Sequence, residues 1–318
     1  MHLQRLNVGQ LVVGRSVRRT TSASGSSSSA LRRPRATAPS TGPPFLPTTT
    51  TTSMRLPPVF YHCFRNPVPY VDGLNLQERI HQLQLLARKT SGDHRDYLFL
   101  LEHRPVYTFG RRQGDDSDIA MEALRLRATG ADCVFTLRGG QTTYHGPGQI
   151  IGYPLLDLGR TSPAMGIRDY ICRMQKLLQT HVVEEHGIKH IASEHTGVFL
   201  DERTKVASIG VQVRHRLTTH GFALNVTREP LPWFEKIVAC GLADVKAGCI
   251  ANATEPDGID PYGSVAGEYP GLIGRFGRIY GRDMVPLDLS SEGEVEDAVR
   301  LVEMKALTRG PWTRKPVF

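Results

Sequence analysis

The sequence predicts an α+β fold, in which a mixed, mostly antiparallel sheet is flanked by helices within a single domain. Stretches with helical apolar spacing alternate with short apolar runs of strand length, and several β-rich runs then follow one another without a helix between them. We find no internal repeat. Grouped strands with separate flanking helices are typical of the α+β class.

Residues 1–55 are predicted to be an organellar transit peptide that precedes the folded body at 56–318. Residues 1–71 contain no Asp or Glu, whereas Arg, Ser and Thr are frequent. An acid-free, Arg-rich leader is typical of mitochondrial import, so we expect the protein in the mitochondrial matrix. A plastid leader and a plain disordered tail are the alternatives.

The positive charge of the chain lies in this leader. The net charge is +8, and the only charged residues before Phe60 are eight arginines, so 8 − 8 leaves zero for the rest: Arg5, Arg15, Arg18, Arg19, Arg32, Arg33, Arg35 and Arg55. A neutral body gives little attraction to phosphate backbones, so no nucleic-acid partner is expected. No apolar run approaches the roughly 18 residues of a membrane span, so no membrane association is expected.

The body begins with a predicted helix and a buried strand. Apolar side chains recur at helical spacing at Leu76, Ile80, Leu83 and Leu86. The apolar run 97–101 then predicts a strand, and two further strands are predicted at 133–137 and 149–158.

A long amphipathic helix follows Pro163, which stands where a helix start is expected. Its apolar positions are Ile167, Tyr170, Ile171, Met174, Leu177, Leu178 and Val182. Two β-rich runs, 197–200 and 206–213, are joined by the polar turn 201–204, which puts Lys205 at the edge of a hairpin. A strand at 221–226 follows, and a last helix carries Val295, Val299, Val302 and Leu307.

The five cysteines contain no CxxC pair and form no framework of close spacings, which indicates reduced thiols. Cys63, Cys133 and Cys172 are expected to be buried apolar residues, as most unpaired cysteines are. Cys240 and Cys249 lie close together in the sequence and remain candidates for chemistry.

The densest functional signal is the segment 138–149, Arg-Gly-Gly-Gln-Thr-Thr-Tyr-His-Gly-Pro-Gly-Gln, between two predicted strands. Glycines let a backbone approach a ligand closely, and Thr143, Tyr144 and His145 can line a pocket. No Lys-Ser/Thr pair follows the glycines, so this is not a Walker loop. From the residues alone, a ligand loop and an ordinary glycine-rich connection both remain open.

This segment resembles the RGG-x-x-TYH-GPGQ signature of lipoyl(octanoyl) transferases, which belong to the biotin and lipoyl protein ligase superfamily. Residues 205–210 (Lys-Val-Ala-Ser-Ile-Gly), 220–225 (His-Gly-Phe-Ala-Leu-Asn) and 239–242 (Ala-Cys-Gly-Leu) are similar to family blocks in the same order. The resemblance covers roughly residues 60–285. Ala239 replaces the usual proline, and residues 248–251 differ from a common Thr-Ser element.

The resemblance implies a fold of the biotin/lipoyl ligase type and a transfer reaction without a cofactor or metal. An octanoyl group would pass from octanoyl-acyl carrier protein to Cys240 and then to the lysine of a lipoyl-domain protein, such as the glycine cleavage H protein. Lys205 would be the partner of Cys240. The implied acyl pocket comprises Arg138, Gly139, Gly140, Gln141, Thr142, Thr143, Tyr144, His145, Ser208, Ile209, Gly210, Gly221, Phe222 and Ala223.

These residue types suit acyl transfer. A thiolate is a strong nucleophile, and a nearby ammonium lowers the thiol pKa from its free value of about 8.5. Lys205 could therefore activate Cys240 and move protons in both halves of the cycle. Backbone N–H groups could stabilise the oxyanion, although the sequence does not assign them.

Several alternatives remain open. An ATP-dependent lipoate or biotin ligase of the same fold would need no cysteine, an acyl-thioester hydrolase would share the acyl-enzyme, and a degenerate binding module would catalyse nothing. His145 and His220 are expected to be pocket-wall residues rather than catalytic bases. His215 and His220 could suggest zinc, but no metal-ligand motif supports it. Cys249 is the alternative thiol.

Overall fold

A computed structural model of the chain describes residues 56–112, 116–242, 244–255 and 265–317. The side chains of Asp116, Ser117 and Cys240 are outside this description. The predicted transit peptide at 1–55 also lies outside the described residues.

The described residues form eleven strands and seven α-helices, with short 3-10 turns between them. The strands are β1 (Val59–Cys63), β2 (Asp96–Leu101), β3 (Val106–Phe109), β4 (Asp132–Phe135), β5 (Thr143–His145), β6 (Gln149–Leu155), β7 (Val198–Phe199), β8 (Thr204–Arg214), β9 (Leu217–Asn225), β10 (Lys246–Ala247) and β11 (Met284–Pro286). The helices are α1 (Tyr70–Thr90), α2 (Asp116–Arg127), α3 (Ile167–His186), α4 (Leu231–Phe234), α5 (Ile250–Thr254), α6 (Tyr269–Tyr280) and α7 (Glu294–Thr308).

The main sheet has the order β10-β8-β9-β6-β2-β1-β11, and β7 pairs with β8 outside this path. Its centre, β8-β9-β6-β2, is antiparallel, whereas β1 pairs in parallel with both β2 and β11. A second sheet of three strands has the order β4-β3-β5. The predicted α+β class with a mixed, mostly antiparallel sheet is therefore confirmed.

The main sheet is covered on both faces, which explains why β2 is apolar throughout rather than alternating. Leu98 and Leu100 belong to the core cluster that α3 and α6 complete. Tyr97, Phe99 and Leu101 point the other way into a cluster completed by α1 and α7. Each buried side chain of this size contributes roughly 1.5–3 kcal/mol to folding, so the strand anchors both layers.

Two details of the predicted elements are corrected. Leu307 is 71% exposed, and Ala306 instead continues the buried stripe of α7, because 306 follows Val302 at the spacing of one helical turn. Cys172 is exposed on α3 because it lies on the helix face opposite the buried positions Tyr170 and Met174.

Several elements gave no clear sequence signal. β5 is a three-residue strand, and α6 contains Pro270 near its start and three glycines, at positions 271, 274 and 277. Glycine is disfavoured in helices by about 1 kcal/mol relative to alanine, so α6 is formed by packing against α3 rather than by its own propensity. Among the described helices, none is both long and apolar enough to cross a bilayer.

Candidate active site

Arg138 fixes the shape of the glycine-rich segment from within. Its guanidinium Nη2 donates hydrogen bonds to the Thr108 carbonyl oxygen at 2.7 Å, to Thr108 Oγ1 at 2.8 Å and to the Gln141 carbonyl oxygen at 2.8 Å. The N–H of Gly139 donates to the carbonyl of Val211 at 3.1 Å, which attaches the segment to β8. Arg138 is 6% exposed, so a buried cation organises this loop.

A narrow cleft lies between this segment, β6, β8 and β9, and its volume is about 50 Å³. Most of the predicted pocket residues line it: Arg138, Gly139, Gly140, Thr143, His145, Ser208, Ile209, Gly210, Gly221, Phe222 and Ala223. The fold thus brings together three blocks that are up to 85 residues apart, from Arg138 to Ala223. We call this cavity the acyl cleft, after the ligand that the sequence resemblance implies for it.

The expectation that Tyr144 lines the pocket is corrected by the structure. Side chains alternate along β5, so Thr143 and His145 face the acyl cleft while Tyr144 points to the opposite side. There its ring stacks on Trp233 at 5.2 Å between centroids and packs in the core beneath the small sheet. Gln141 and Thr142 also do not line the acyl cleft.

Tyr70, Ile151, Tyr153 and His220 complete the lining of the acyl cleft. Only His220 was anticipated there. Tyr70 is the first residue of α1, and Ile151 and Tyr153 occupy alternate positions of β6. Their alternation indicates a shared face of a strand, but the sequence could not show that this face borders a ligand site.

Lys205 is the second residue of β8, next to the predicted turn at 201–204. It pairs with Phe199 of β7 on one side and with Ala247 of β10 on the other. Its Nζ lies 5.2 Å from the centroid of the Phe199 ring, which is cation–π distance. Lys205 is half-buried, so it is not the solvated hairpin charge that its position in the sequence could suggest.

Cys240 lies in a 3-10 turn, Ala239–Gly241, that contacts the glycine-rich segment. A Cβ atom on Gly241 would lie 1.6 Å from Gln141 Oε1, so the backbone after Cys240 is pressed against that side chain. Shortly afterwards β10 pairs with the strand of Lys205. The backbone around Cys240 thus runs from the glycine-rich segment to Lys205. Because the Cys240 side chain is outside the described residues, its pairing with Lys205 stays a prediction.

Three buried histidines lie around the acyl cleft, and burial lowers the pKa of each. The pKa of His103 falls to about 4 and that of His220 to about 3, and nearby Arg138 lowers the His220 value further. The pKa of His145 is well below its usual value for the same reasons, burial first. All three rings are therefore neutral near pH 7 and can accept or donate hydrogen bonds without carrying charge.

The other cysteines differ in their surroundings. Burial raises the pKa of the Cys63 and Cys133 thiols to about 11, which makes both unreactive. Cys249 is fully buried, and its Sγ accepts a hydrogen bond from the Asn252 N–H at 3.4 Å at the start of α5. It acts as the N-cap of that helix, the position that a Ser or Thr hydroxyl commonly takes.

A larger cleft of about 1140 Å³ borders the segment from Ala239 to Cys249. Its walls include Ala239, Lys246 and Cys249, together with Lys189 after α3 and Thr204 at the start of β8. Thr204 and Ser208 lie on one strand, so the large cleft and the acyl cleft both adjoin the Lys205 region.

Within the described ranges, one cluster of possible metal ligands occurs, at His181, His186 and Glu268. Both Nε2 atoms lie 2.9 Å from Glu268 Oε2. Burial alone would raise the pKa of Glu268, but the hydrogen bonds from the two histidines outweigh it and lower the pKa to about 2. Arg275 Nη1 lies 3.4 Å from His181 Nδ1, so that nitrogen is an acceptor and Nε2 carries the proton. This cluster therefore connects α3 to the start of α6 by hydrogen bonds, and the separation of 82 positions between His186 and Glu268 hid it in the sequence.

Comparison with known proteins agrees with this architecture. The model of the lipoyl protein ligase A/B catalytic domain matches residues 70–256. An octanoyltransferase of Caldicellulosiruptor saccharolyticus is 38% identical over 184 residues, which are 57% of this chain and 74% of that protein. The mitochondrial octanoyl-[acyl-carrier-protein]:protein N-octanoyltransferase of Danio rerio is 35% identical over 190 residues, 60% of this chain and 80% of that protein.

The fold is also similar to that of a bi-partite lipoate protein ligase from Thermoplasma acidophilum, with a TM-score of 0.55 at 14% identity over 80% of this chain and 95% of that chain. This likeness concerns the fold alone. The matched catalytic-domain model spans more than half of the sequence and includes the glycine-rich segment, Lys205 and Cys240. The chain therefore belongs to the lipoyl protein ligase A/B catalytic-domain family.

Proposed function

We propose that this protein is an octanoyltransferase that carries the octanoyl group on Cys240 and delivers it to a lysine of a lipoyl-domain protein. The observation that carries the proposal is the course of the backbone around Cys240. It leaves the glycine-rich segment at Gly241, beside Gln141, and pairs with the strand of Lys205 at Ala247. The names of the two sequence relatives, both octanoyltransferases, support the acyl group and the reaction type.

The reaction has two halves. The Cys240 thiol gives its proton to Lys205, and the thiolate attacks the octanoyl thioester of an acyl carrier protein. The C–S bond to Cys240 forms, the C–S bond to the carrier breaks, and the carrier leaves as a thiol with the proton from Lys205. The ε-amine of the acceptor lysine then attacks the Cys240 thioester. An amide C–N bond forms, the C–S bond breaks, and a proton passes from the amine to the leaving thiolate. Lys205 is the proposed proton carrier in both halves.

The walls of the acyl cleft suit an alkyl chain, because Ile151, Ile209, Phe222 and Ala223 supply apolar surface beside the glycine backbone. Ligand pockets typically measure about 300–1,000 Å³, far more than this cleft. Binding an eight-carbon chain must therefore widen it. The larger cleft beside Lys246 is the proposed entry for the arm of the carrier protein.

The decisive experiment uses the protein without residues 1–55, incubated with octanoyl-acyl carrier protein and analysed by intact mass. We expect one octanoyl adduct that hydroxylamine removes, that is lost in Cys240→Ala and that persists in Cys249→Ala. Addition of a lipoyl domain should transfer the adduct to its lysine. Lys205→Ala should slow both steps by at least about a hundredfold, the usual contribution of acid–base groups.

Other outcomes would select the alternatives. No adduct on the unmutated protein, together with octanoylation that requires ATP and free octanoate, would indicate a ligase of the same fold. An adduct that decays to free octanoate in the presence of the lipoyl domain would indicate a thioester hydrolase. An adduct that is lost in Cys249→Ala but persists in Cys240→Ala would show that Cys249 is the acyl carrier.

The proposed location is the mitochondrial matrix, because residues 1–55 have transit-peptide composition and the Danio rerio relative is named mitochondrial. Residues 1–55 fused to a fluorescent protein should enter mitochondria. Replacing Arg15, Arg18 and Arg19 with glutamine should reduce import. Cytosolic fluorescence of the unmutated fusion would contradict the assignment.

A further inference from the structure

A continuous chain of buried hydrogen bonds connects the wall of the acyl cleft to the strand of Lys205. His145 Nδ1 bonds to Gln149 Oε1 at 2.7 Å, Gln149 Nε2 donates to Asn225 Oδ1 at 2.7 Å, and Asn225 Nδ2 donates to the Gly248 carbonyl at 2.8 Å. The N–H of Gly248 then donates to the Lys205 carbonyl at 2.9 Å. We call these five residues the hydrogen-bond chain.

The direction of the hydrogen-bond chain is fixed at one end. The Gly248 carbonyl can only accept, so Asn225 must present its Nδ2 there and its Oδ1 to Gln149. Gln149 must then donate through Nε2 and present Oε1 to the imidazole. A weaker contact from Gln149 Nε2 to the Tyr144 carbonyl, at 3.4 Å, supports the same orientation.

This order determines the tautomer of His145. Because Oε1 of Gln149 accepts, Nδ1 of His145 carries the proton and Nε2 keeps a lone pair. The ring lines the acyl cleft, and the hydrogen bond that it makes to another described residue is the one at Nδ1. The Tyr70 ring lies parallel to the His145 ring, with an interplanar angle of 4° and 6.1 Å between the centroids.

We propose that Gln149 and Asn225 are positioning residues for the second half of the reaction. They hold the Nε2 lone pair of His145 towards the acyl cleft, where it accepts a hydrogen bond from the attacking lysine amine and aims that amine at the thioester. This inference rests on the proposed function and assigns roles that go beyond Cys240 and Lys205. Lys205 still takes the proton, and His145 orients the nucleophile.

The two amides act on different parts of the site. Gln149 contacts His145, which is needed only when an amine is present. Asn225 also holds Gly248, whose backbone bonds to Lys205, and Lys205 serves both half-reactions. Loss of Gln149 should therefore slow amine transfer alone, whereas loss of Asn225 should slow both half-reactions.

The test measures the two half-reactions separately in the protein without residues 1–55. Self-acylation by octanoyl-acyl carrier protein is followed by intact mass, and transfer from the isolated octanoyl-enzyme to a lipoyl domain is followed in a single turnover. In Gln149→Met we expect self-acylation within about twofold of the unmutated rate and transfer slowed at least about tenfold. In Asn225→Leu both rates should fall.

Gln84→Met is the matched control, because Gln84 is also a buried glutamine whose amide bonds to two backbone carbonyls, but it lies on α1 outside the acyl cleft. It should reduce thermal stability without separating the two rates. If Gln149→Met transfers the acyl group at the unmutated rate, or slows both half-reactions equally like a general loss of stability, the positioning role is wrong.

Gln149→Glu supplies a second readout. A carboxylate beside Nδ1 favours the imidazolium, against burial and against the nearby Arg138, His103 and His220 that lower the pKa of His145. Every variant loses transfer rate as pH falls, because less of the acceptor lysine is the neutral amine. Protonated His145 cannot accept a hydrogen bond, so the transfer rate of Gln149→Glu divided by that of Gln149→Met should fall further as pH is lowered from 8 to 6. A constant ratio would contradict the proposal. A wild-type protein that forms no adduct at all would instead contradict the proposed function.

Discussion

Cys249 shows how a residue that suggests chemistry in the sequence can have a purely structural place. Its sulfur caps the first turn of α5 and is fully buried. We expect Cys249→Ser to retain the cap, because a hydroxyl is the better acceptor, and Cys249→Ala to lower the free energy of unfolding by about 1 kcal/mol. Urea unfolding measures both, and each variant should still form the octanoyl adduct. A stability loss in Cys249→Ser that exceeds the loss in Cys249→Ala would contradict the capping role.

The burial of His103 makes the folding stability of the protein depend on pH. Its Nδ1 bonds to the Val68 carbonyl at 2.8 Å and its Nε2 to the Tyr153 hydroxyl at 2.6 Å. The folded pKa of about 4 lies below the value of 6.5 for a free histidine. The unfolded chain therefore binds this proton first, and stability is lost as pH falls from about 6.5 to about 4.

We expect His103→Asn to lose less stability than the unmutated protein between pH 7 and pH 5, by about 2 kcal/mol. Asparagine keeps a donor for the Val68 carbonyl but cannot be protonated. The free energy of unfolding by urea at the two pH values measures the difference. His195→Asn makes the same substitution at an exposed position and is the control. An identical pH dependence in His103→Asn would contradict the assignment.

At the scale of elements, the 3-10 turn of Cys240 depends on Gly241. Its φ of +72° lies in the left-handed region, and a Cβ atom there would collide with Gln141 Oε1. The left-handed conformation costs a residue with a side chain roughly 1–2 kcal/mol. We expect Gly241→Ala to lower stability by about that amount and also to slow self-acylation, because the turn must move away from the glycine-rich segment.

Gly92→Ala separates these two effects. Gly92 has a φ of +74° with no atom within 4 Å of the added Cβ, so it carries the same backbone strain without a collision. It should lower stability similarly and leave self-acylation unchanged. Adding Gln141→Ala to Gly241→Ala removes the collision and should restore part of the rate. If Gly241→Ala acylates at the unmutated rate, the contact with Gln141 does not position the turn.

Elements with a strong apolar period could be predicted from the sequence, and elements made by packing could not. α3 and the strands around 97–101 and 206–213 carry their own patterns, and the structure contains them. β10 has two residues and exists because Lys246 and Ala247 lie beside Thr204 and Lys205. No local signal marks such a strand, because its hydrogen-bond partners come from a distant part of the chain.

The candidate site divides in the same way. The motif blocks fixed which backbone segments surround the acyl cleft, because their glycines and small residues are conspicuous in the sequence. Which side chains of a block face the acyl cleft depends on the alternation of side chains along the strand. The prediction therefore put Tyr144 on the wrong face of β5. The hydrogen-bond chain could not be foreseen, since Gln149 and Asn225 are 76 residues apart and meet only where β6 pairs with β9.

At the scale of the whole molecule, the described residues outside 70–256, which are 56–69 and 265–317, complete the sheet and its cover. β1 precedes the matched region and pairs with β2 inside it and with β11 after it. α6 packs on α3, and α7 packs on α1. The active-site strands therefore belong to a sheet whose far edge is formed by β1 and β11.

The Asp96 carboxylate connects segments that are distant in the sequence through hydrogen bonds and ion pairs. It is fully buried at the start of β2, and its Oδ2 accepts from Arg282 Nη2 at 2.8 Å. Arg160 Nε lies 3.3 Å from the same oxygen, close enough for an ion pair although not aligned as a hydrogen bond. Asp96 Oδ1 accepts from the Asp157 N–H at 2.9 Å. One carboxylate thus connects β2, the end of β6 and the turn before β11.

We expect Asp96→Asn to lower the free energy of unfolding by roughly 3–5 kcal/mol, because it leaves two largely buried arginines without their counter-charge. The urea midpoint and slope measure this loss. Glu122→Gln is the matched control, since it makes the same carboxylate-to-amide change in an exposed pair with Arg125, which contributes about 0–1 kcal/mol. Similar midpoints for the two variants would mean that the turn before β11 is held against β2 by apolar packing alone. A midpoint lowered only in Asp96→Asn would identify this ion cluster as the bond between the catalytic sheet and its far edge.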